Sequence, residues 1–162
     1  MTPEWSTATP DWEDRIRTGK SIIPPPIFQD VADEAWAVMS ELRIVDAAGS
    51  PTIGEACAPW VKDLACALFG SYDKDSGQRL IKEVFVLISK KNSKSTVAGA
   101  LMLTSLILNW RQSAQFVILS PTIQVADNSY SPARDMVAKD DELRDLMQVQ
   151  NHIKTITHRT TN

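Results

Sequence analysis

The chain has 162 residues, of which 43% are apolar and 23% are charged, with 20 acidic side chains against 17 basic ones. That length suits about one domain of roughly 150 residues, and the apolar content suffices for a buried core. Nine prolines and six glycines are ordinary amounts and exclude a collagen-like or wholly disordered chain. The net charge of −3 excludes a protein that coats nucleic acid with a uniformly basic surface, but it does not exclude a local basic patch.

Cysteine content and hydropathy indicate the compartment. The two cysteines, Cys57 and Cys66, form neither a disulfide framework nor a zinc site by themselves, which fits a reducing cytosol. The N-terminal segment lacks the apolar core of a secretory signal. The longest apolar-rich run, residues 97–108, is shorter than the ~20 residues of a membrane span. We therefore expect a cytoplasmic protein that does not bind a membrane.

The first predicted element is an extended N-terminal arm, residues 1–28, followed by a single domain over residues 29–162. The arm is polar, carries Trp5 and Trp12, and is stiffened by three consecutive prolines at 24–26, which favour a polyproline conformation. The two tryptophans are candidates either to dock on a partner subunit or to fold back on the domain.

Two helices are predicted next. Apolar residues at helical spacing predict a helix over residues 30–42. Pro59 suits the first position of a second helix, and Gly70 suits its end. Residues 42–46 resemble a strand that ends in an acid, but we interpret them as the end of the first helix entering a turn.

The centre of the chain alternates apolar runs with a helical pattern. Val84–Ile88 is a run of five apolar residues, typical of a strand covered on both faces in a parallel sheet. Gln115–Leu119 is interpreted as a second such strand, and Ser95–Asn109 as an apolar helix between them. Strand, helix and strand in this order predict a right-handed α/β fold.

The last third is predicted to contain two helices and one strand. The first helix covers Thr122–Val137 and is kinked or split by Pro132. A short charged helix follows over Asp140–Gln150, and an edge strand covers His152–Thr157. Metal binding by His152 and His158 would need a third ligand that the sequence does not offer.

The chemistry is concentrated in a polar loop between the first strand and the apolar helix. Its residues are Ser89, Lys90, Lys91, Asn92, Ser93, Lys94, Ser95 and Thr96. Strand, polar loop, Lys-Ser and helix is the order of a phosphate-binding loop, in which backbone N–H groups and the helix dipole attract an anion. Lys94 is suited to reach the terminal phosphates, and the Ser95 hydroxyl is suited to ligate Mg²⁺. The loop therefore predicts nucleotide binding.

The loop departs from the usual pattern at two positions, while the surrounding charges favour an anion. Ser93 and Ile88 stand where glycines are usual. Between Glu83 and Asp127 there is no acidic residue, whereas four basic residues are present, Lys90, Lys91, Lys94 and Arg111. The alternative interpretation is a solvated lysine-rich turn.

The acidic pair that an ATPase places after a second strand is not apparent. The carboxylates beyond the loop all fall in predicted helices or turns: Asp127, Asp135, Asp140, Asp141, Glu142 and Asp145. We therefore expect a nucleotide-binding N-terminal portion without catalytic carboxylates, inactive alone.

Several segments in sequence order carry a resemblance to a known family. They are residues 59–61, 68–70, 77–79, 84–96, 119–122, 124–126 and 133–136. Over about residues 12–158 the chain resembles the N-terminal ATPase region of the large terminase subunit of tailed phages. The loop of that family reads serine-arginine-x-x-glycine-lysine-threonine/serine. In this chain Lys90 replaces the arginine and Ser93 replaces the glycine.

The resemblance implies a motor that uses ATP and Mg²⁺ to pump double-stranded DNA into a procapsid inside a bacterial host cell. It implies a small terminase subunit and a portal protein as partners, and a separate nuclease domain. It implies a P-loop NTPase-like three-layer fold with a largely parallel central sheet, incomplete here at its C-terminal side. Lys94 would contact the β- and γ-phosphates, and Ser95 would hold Mg²⁺. Lys90 would stabilise transferred charge, although lysine lacks the bidentate fork of arginine. Pro59 and Trp60 would contact adenine, with core packing as the alternative for Trp60.

Two other functions are considered. A non-catalytic interaction module, or a degenerate prophage remnant, would bind another protein through the arm or an exposed sheet edge and could self-associate. A small-molecule kinase with a similar loop has no support from a lid or an acceptor-site carboxylate.

Overall fold

The structure is a computed structural model that describes residues 5–161. Its elements in chain order are α1 (Trp12–Arg17), α2 (Gln29–Glu41), α3 (Ile53–Ala56), α4 (Pro59–Gly70), α5 (Lys94–Ile107), α6 (Ile123–Lys139), α7 (Asp141–Leu146), β1 (Met147–Gln150) and β2 (Thr155–His158). The chain divides into two compact units. The first comprises residues up to Val38 together with Cys57–Val86, and the second comprises Met39–Ala56 together with the residues from Leu87 onward.

The first unit contains the predicted helix from Pro59 to Gly70, which is confirmed as α4. Its end makes a close approach to the segment that precedes α2. The Gly70 carbonyl accepts hydrogen bonds from the Ile27 and Phe28 amides at 3.1 and 2.9 Å. A Cβ on Gly70 would lie 2.6 Å from the Pro26 Cβ, so only glycine fits there.

Part of the predicted extended arm is helical. Trp12–Arg17 form α1, while residues 1–4 lie outside the described residues. The Arg15 side chain pairs with Asp11 at 3.0 Å, a spacing of four residues that supports a helical turn. The Trp5 indole donates to the Pro25 carbonyl at 3.2 Å, so the arm folds back on its own proline segment. The boundary between arm and domain at residue 28 stays a prediction.

The second unit is built around α5 and α6, which confirm two predicted helices. Gly99 of α5 is buried, and a Cβ there would meet the Ser129 carbonyl of α6 at 2.6 Å. The Thr122 side chain caps α6 by accepting from the Val125 amide at 3.3 Å. Pro132 lies inside α6, which continues as one helix and is not split.

The two predicted central strands are not strands in this structure. Among the described residues, Val84–Ile88 and Gln115–Leu119 have no ladder partner, and the one sheet consists of β1 and β2. Phe85 and Leu119 are each 88% exposed. A parallel strand needs neighbours that satisfy its N–H and C=O groups, and residues 5–161 supply none. The prediction of a largely parallel sheet is therefore not met, and the observed architecture is helices with a small antiparallel sheet.

The C-terminal elements also differ from the prediction. The charged helix predicted over Asp140–Gln150 ends at Leu146, and Met147–Gln150 form β1 instead. Met147, Gln148 and Val149 alternate between apolar and polar, which is the period of a strand. The strand predicted over residues 152–157 begins later, at Thr155, and pairs antiparallel with β1 so that Met147 faces His158.

Candidate functional site

The side chain of Lys94, the first residue of α5, folds back across the polar loop. Its Nζ donates to the Ile88 carbonyl at 2.6 Å and to the Ser89 carbonyl at 3.0 Å. The ammonium therefore joins the head of the helix to the first residues of the loop. It carries a positive charge beside the N-terminus of a 14-residue helix, where the helix dipole also favours an anion.

Two residues of the loop have left-handed backbones. Lys91 has φ +67° and Ser93 has φ +52°. Left-handed residues among right-handed ones turn successive N–H groups toward one side, an arrangement that binds anions elsewhere. Ser93 precedes α5, and its carbonyl accepts from the Val97 amide at 2.9 Å, while its side chain makes no capping hydrogen bond. A serine is tolerated here because this region is open to L-residues, at a cost.

Asn92 lies between these two residues, and its side chain is committed to the loop. Its Nδ2 donates to the Ser89 Oγ at 2.6 Å and to the Ser89 carbonyl at 3.2 Å. The Ser89 carbonyl therefore accepts from both Asn92 and Lys94. These contacts are not among the predictions made from the sequence, although the tendency of asparagine to bond the nearby backbone in turns is a signal that indicates them.

The other loop residues differ in their exposure to solvent. Lys90 and Lys91 are exposed, Ser95 is half-buried and Thr96 is 8% exposed. Thr96 lines a cavity of about 280 Å³ beside the first turn of α5, together with Asp46 and residues of α6. The α2 helix ends at Glu41, and Asp46 lies in a turn, as predicted.

The predicted adenine-contacting residues and the loop belong to different compact units. Pro59 and Trp60 begin α4 in the first unit, whereas the loop belongs to the second. Pro59 is exposed and Trp60 is half-buried. Their contact with adenine stays a prediction.

The carboxylates beyond the loop lie in helices. Asp127 and Asp135 belong to α6, Asp140 caps α7, and α7 contains the other three. Lys154 Nζ lies 2.9 Å from the Asp127 carboxylate, and this hydrogen bond lowers the pKa of Asp127. Asp135 pairs with Arg134 at 2.6 Å.

Neither histidine belongs to a cluster of potential metal ligands. Between residues 5 and 161 no three histidine, cysteine, aspartate or glutamate side chains lie in an arrangement that could hold a metal ion. The Nδ1 atom of His158 lies 3.3 Å from the Thr160 amide that donates to it.

A match to a family model shows which protein family the chain belongs to. The model of the family described as "Terminase large subunit, ATPase domain" matches residues 59–161, more than half of the chain. The chain belongs to the terminase large subunit ATPase domain family. No curated protein and no solved structure matches it.

Membership in the terminase family gives the site its context. It indicates an ATP-binding role in phage DNA packaging, with a nucleotide and usually Mg²⁺ as cofactors. Large terminase subunits generally work with DNA, a small subunit and a portal protein. The mixture of helices and a small sheet is compatible with an α/β ATPase domain. Within the described residues, no helix is long and apolar enough to cross a membrane.

Proposed function

We propose that residues 89–96 bind the triphosphate of Mg-ATP in a phage DNA-packaging motor. The observation that carries the proposal is the ammonium of Lys94, held over the loop at the head of α5 by the Ile88 and Ser89 carbonyls. A cation, a helix N-terminus and left-handed loop residues converge there. That combination suits a polyphosphate better than it suits a solvated surface turn.

Each loop residue has a proposed role. Lys94 leaves the carbonyls and binds the β- and γ-phosphates, and the Ser95 hydroxyl ligates Mg²⁺. Lys90 takes the position of an arginine and stabilises transferred charge with a single ammonium. The remaining loop residues shape the phosphate pocket through their backbone: Ser89, Lys91, Asn92, Ser93 and Thr96. Pro59 and Trp60 are proposed to contact the adenine.

We propose that the chain on its own binds ATP without turning it over. Hydrolysis needs one carboxylate on Mg²⁺ and another that activates water. Beyond the loop, the described carboxylates lie in α6, α7 and its cap, and Asp127 and Asp135 are engaged in ion pairs. In the whole motor, ATP hydrolysis would drive translocation of double-stranded DNA in concert with the small subunit and portal.

We also propose that two uncharged apolar runs, Val84–Ile88 and Gln115–Leu119, are strands of a parallel P-loop sheet in the assembled ATPase. Val84–Ile88 ends where the loop begins, which is the order of a phosphate-binding strand. Exposure of Phe85, Leu87 and Leu119, at 88%, 83% and 88%, supports the proposal because such side chains favour burial.

A titration tests ATP binding. We expect the chain to bind Mg-ATP and a non-hydrolysable analogue, and Lys94→Ala to weaken both by at least about tenfold, since a charged hydrogen bond is worth about 1.5–3 kcal/mol. Lys74→Ala, which removes an exposed lysine from the other unit, is the matched control and leaves the affinity unchanged. Equal and negligible affinity of wild type and Lys94→Ala would refute nucleotide binding by this chain.

A non-catalytic interaction module is the second candidate. The exposed side chains of Phe85, Leu87 and Leu119 favour it, because exposed apolar residues and unpaired backbone groups promote association. Light scattering after size exclusion separates the two functions. Self-association that depends on concentration, combined with no measurable affinity for Mg-ATP, would select the interaction module.

A further inference from the structure

We propose that Asn92 is a positioning residue that holds the loop closed when the Lys94 ammonium moves from the backbone onto a phosphate. The inference rests on the proposed function and deepens it. It assigns the Asn92 side chain to Ser89 and not to the nucleotide. The basis is the pair of hydrogen bonds from Asn92 Nδ2 to Ser89, at 2.6 Å to Oγ and 3.2 Å to the carbonyl.

The Ser89 carbonyl accepts hydrogen bonds from two side-chain donors. Lys94 Nζ lies 3.0 Å from this oxygen and Asn92 Nδ2 lies 3.2 Å from it. Phosphate oxygens carry full negative charge, so an ammonium binds them more strongly than it binds neutral carbonyls. When Lys94 turns to the phosphates, Asn92 remains as a donor to the Ser89 carbonyl. The start of the loop therefore keeps a bond to its end.

The backbone of the loop contributes little to holding its shape. Residues 90 and 91 form a turn, and within the described chain the amides and carbonyls of residues 89–92 make no further backbone–backbone hydrogen bond. Lys91 and Ser93 hold left-handed backbones, a conformation that is strained for residues other than glycine. A loop with two strained residues and a single turn of its own depends on side-chain bonds for its shape. Asn92 and Lys94 supply those bonds, and only that of Asn92 is independent of the phosphate.

A double-mutant cycle distinguishes positioning from direct contact with the nucleotide. We expect Asn92→Ala to weaken Mg-ATP binding about tenfold, because it removes both side-chain hydrogen bonds that hold Ser89. Ser89→Ala removes the shorter bond and weakens binding less. The double variant should bind about as weakly as Asn92→Ala alone, because both changes break the same clamp. Losses that multiply would mean that Asn92 acts on the nucleotide directly and would overturn the proposal.

A measurement without nucleotide separates this inference from the proposed function. Magnetisation-transfer NMR on the free chain gives the hydrogen-exchange rates of the Asn92 side-chain amide. We expect slower exchange than at the exposed Asn128, and faster exchange in Ser89→Ala. Exchange as fast as that of Asn128 in the wild-type chain overturns the clamp. If the clamp is seen but wild type does not bind Mg-ATP, the proposed function fails, and with it the role of the clamp in binding.

Discussion

Ser93 illustrates how one side chain adjusts the loop. It stands where a phosphate-binding loop usually carries glycine, and its φ is +52°. An L-residue in this left-handed region is less stable than glycine by roughly 1 kcal/mol, because its Cβ approaches the neighbouring carbonyl. The side chain makes no capping hydrogen bond that would offset this cost. The sequence identified the substitution, but only the backbone angle tells what it costs.

Ser93→Gly should therefore raise the affinity for Mg-ATP. We expect a gain of about twofold to fivefold, corresponding to about 0.5–1 kcal/mol, because the loop no longer resists its bound shape. Ser93→Ala keeps the Cβ and is the matched control, with an affinity close to that of wild type. Isothermal titration measures both. An equal gain in the two variants would mean that the hydroxyl, and not the backbone angle, sets the cost.

The ion pair between Asp127 and Lys154 makes a pH-dependent contribution at the residue scale. The hydrogen bond from Lys154 holds the pKa of Asp127 below its ordinary value. A carboxyl with a lowered folded-state pKa contributes stability above its unfolded pKa of about 4, and this contribution is lost as the pH falls through the folded value.

Asp127→Asn should consequently lower the midpoint of thermal unfolding at pH 7 and have progressively less effect below about pH 4. The melting temperature of variant and wild type, followed by circular dichroism from pH 7 to pH 3, tests this. Asp75→Asn, in an exposed turn of the first unit, serves as the control. A difference at pH 3 as large as at pH 7 would show that the charge of Asp127 is not the source.

At the scale of elements, local patterns predicted the helices, whereas the predicted central sheet is not shown by this structure. The apolar spacing and the end signals Pro59 and Gly70 located α4, and Thr122 located the start of α6. These signals lie within a few residues of the element they specify. A strand depends on a partner elsewhere, so the apolar runs at 84–88 and 115–119 could not be judged without it. For the same reason, a strand was predicted near β2 but the residues of β1 were predicted to be helical.

The contact of α5 with α6 depends on Gly99. A Cβ at this position would lie 2.6 Å from the Ser129 carbonyl and 3.6 Å from the Ala133 Cβ. Real side chains do not approach a backbone oxygen so closely, so one helix must shift. The absence of a side chain is what lets the loop-bearing helix pack at this distance.

Gly99→Ala should destabilise the chain by about 1–3 kcal/mol through overpacking, although alanine is favoured over glycine in an exposed helix by about 1 kcal/mol. Ala98→Gly, at the exposed neighbouring position, isolates the propensity effect and should cost only about 1 kcal/mol. Urea unfolding gives both values. Stabilisation by Gly99→Ala would contradict the close approach of the two helices.

At the scale of the whole molecule, the terminase family assignment indicates an ATP-binding role, and our proposal that the chain does not hydrolyse ATP rests on where its later carboxylates lie. The family match covers residues 59–161, which include the loop and the helices that hold the later carboxylates. The sequence predicted the order of these segments and hence the family. It did not predict how Lys94 and Asn92 engage Ser89, because such contacts depend on backbone angles that residue types only bias.

The isolated chain should therefore release no phosphate from ATP above the rate of a Lys94→Ala control. The reason is that no described carboxylate after the loop ends a strand, so neither a water-activating base nor an acidic Mg²⁺ ligand is apparent. A coupled phosphate assay with saturating Mg-ATP measures this. Steady release by wild type that Lys94→Ala abolishes would show that the chain supplies its own catalytic carboxylates.

Hydrogen–deuterium exchange with and without Mg-ATP tests the central claim most directly, because it reports where the nucleotide acts. We predict that Mg-ATP slows exchange of the amides of residues 89–97, and that Lys94→Ala abolishes this protection while Lys74→Ala retains it. Protection confined to other parts of the chain, or equal protection of the loop in wild type and Lys94→Ala, would contradict phosphate binding by the loop.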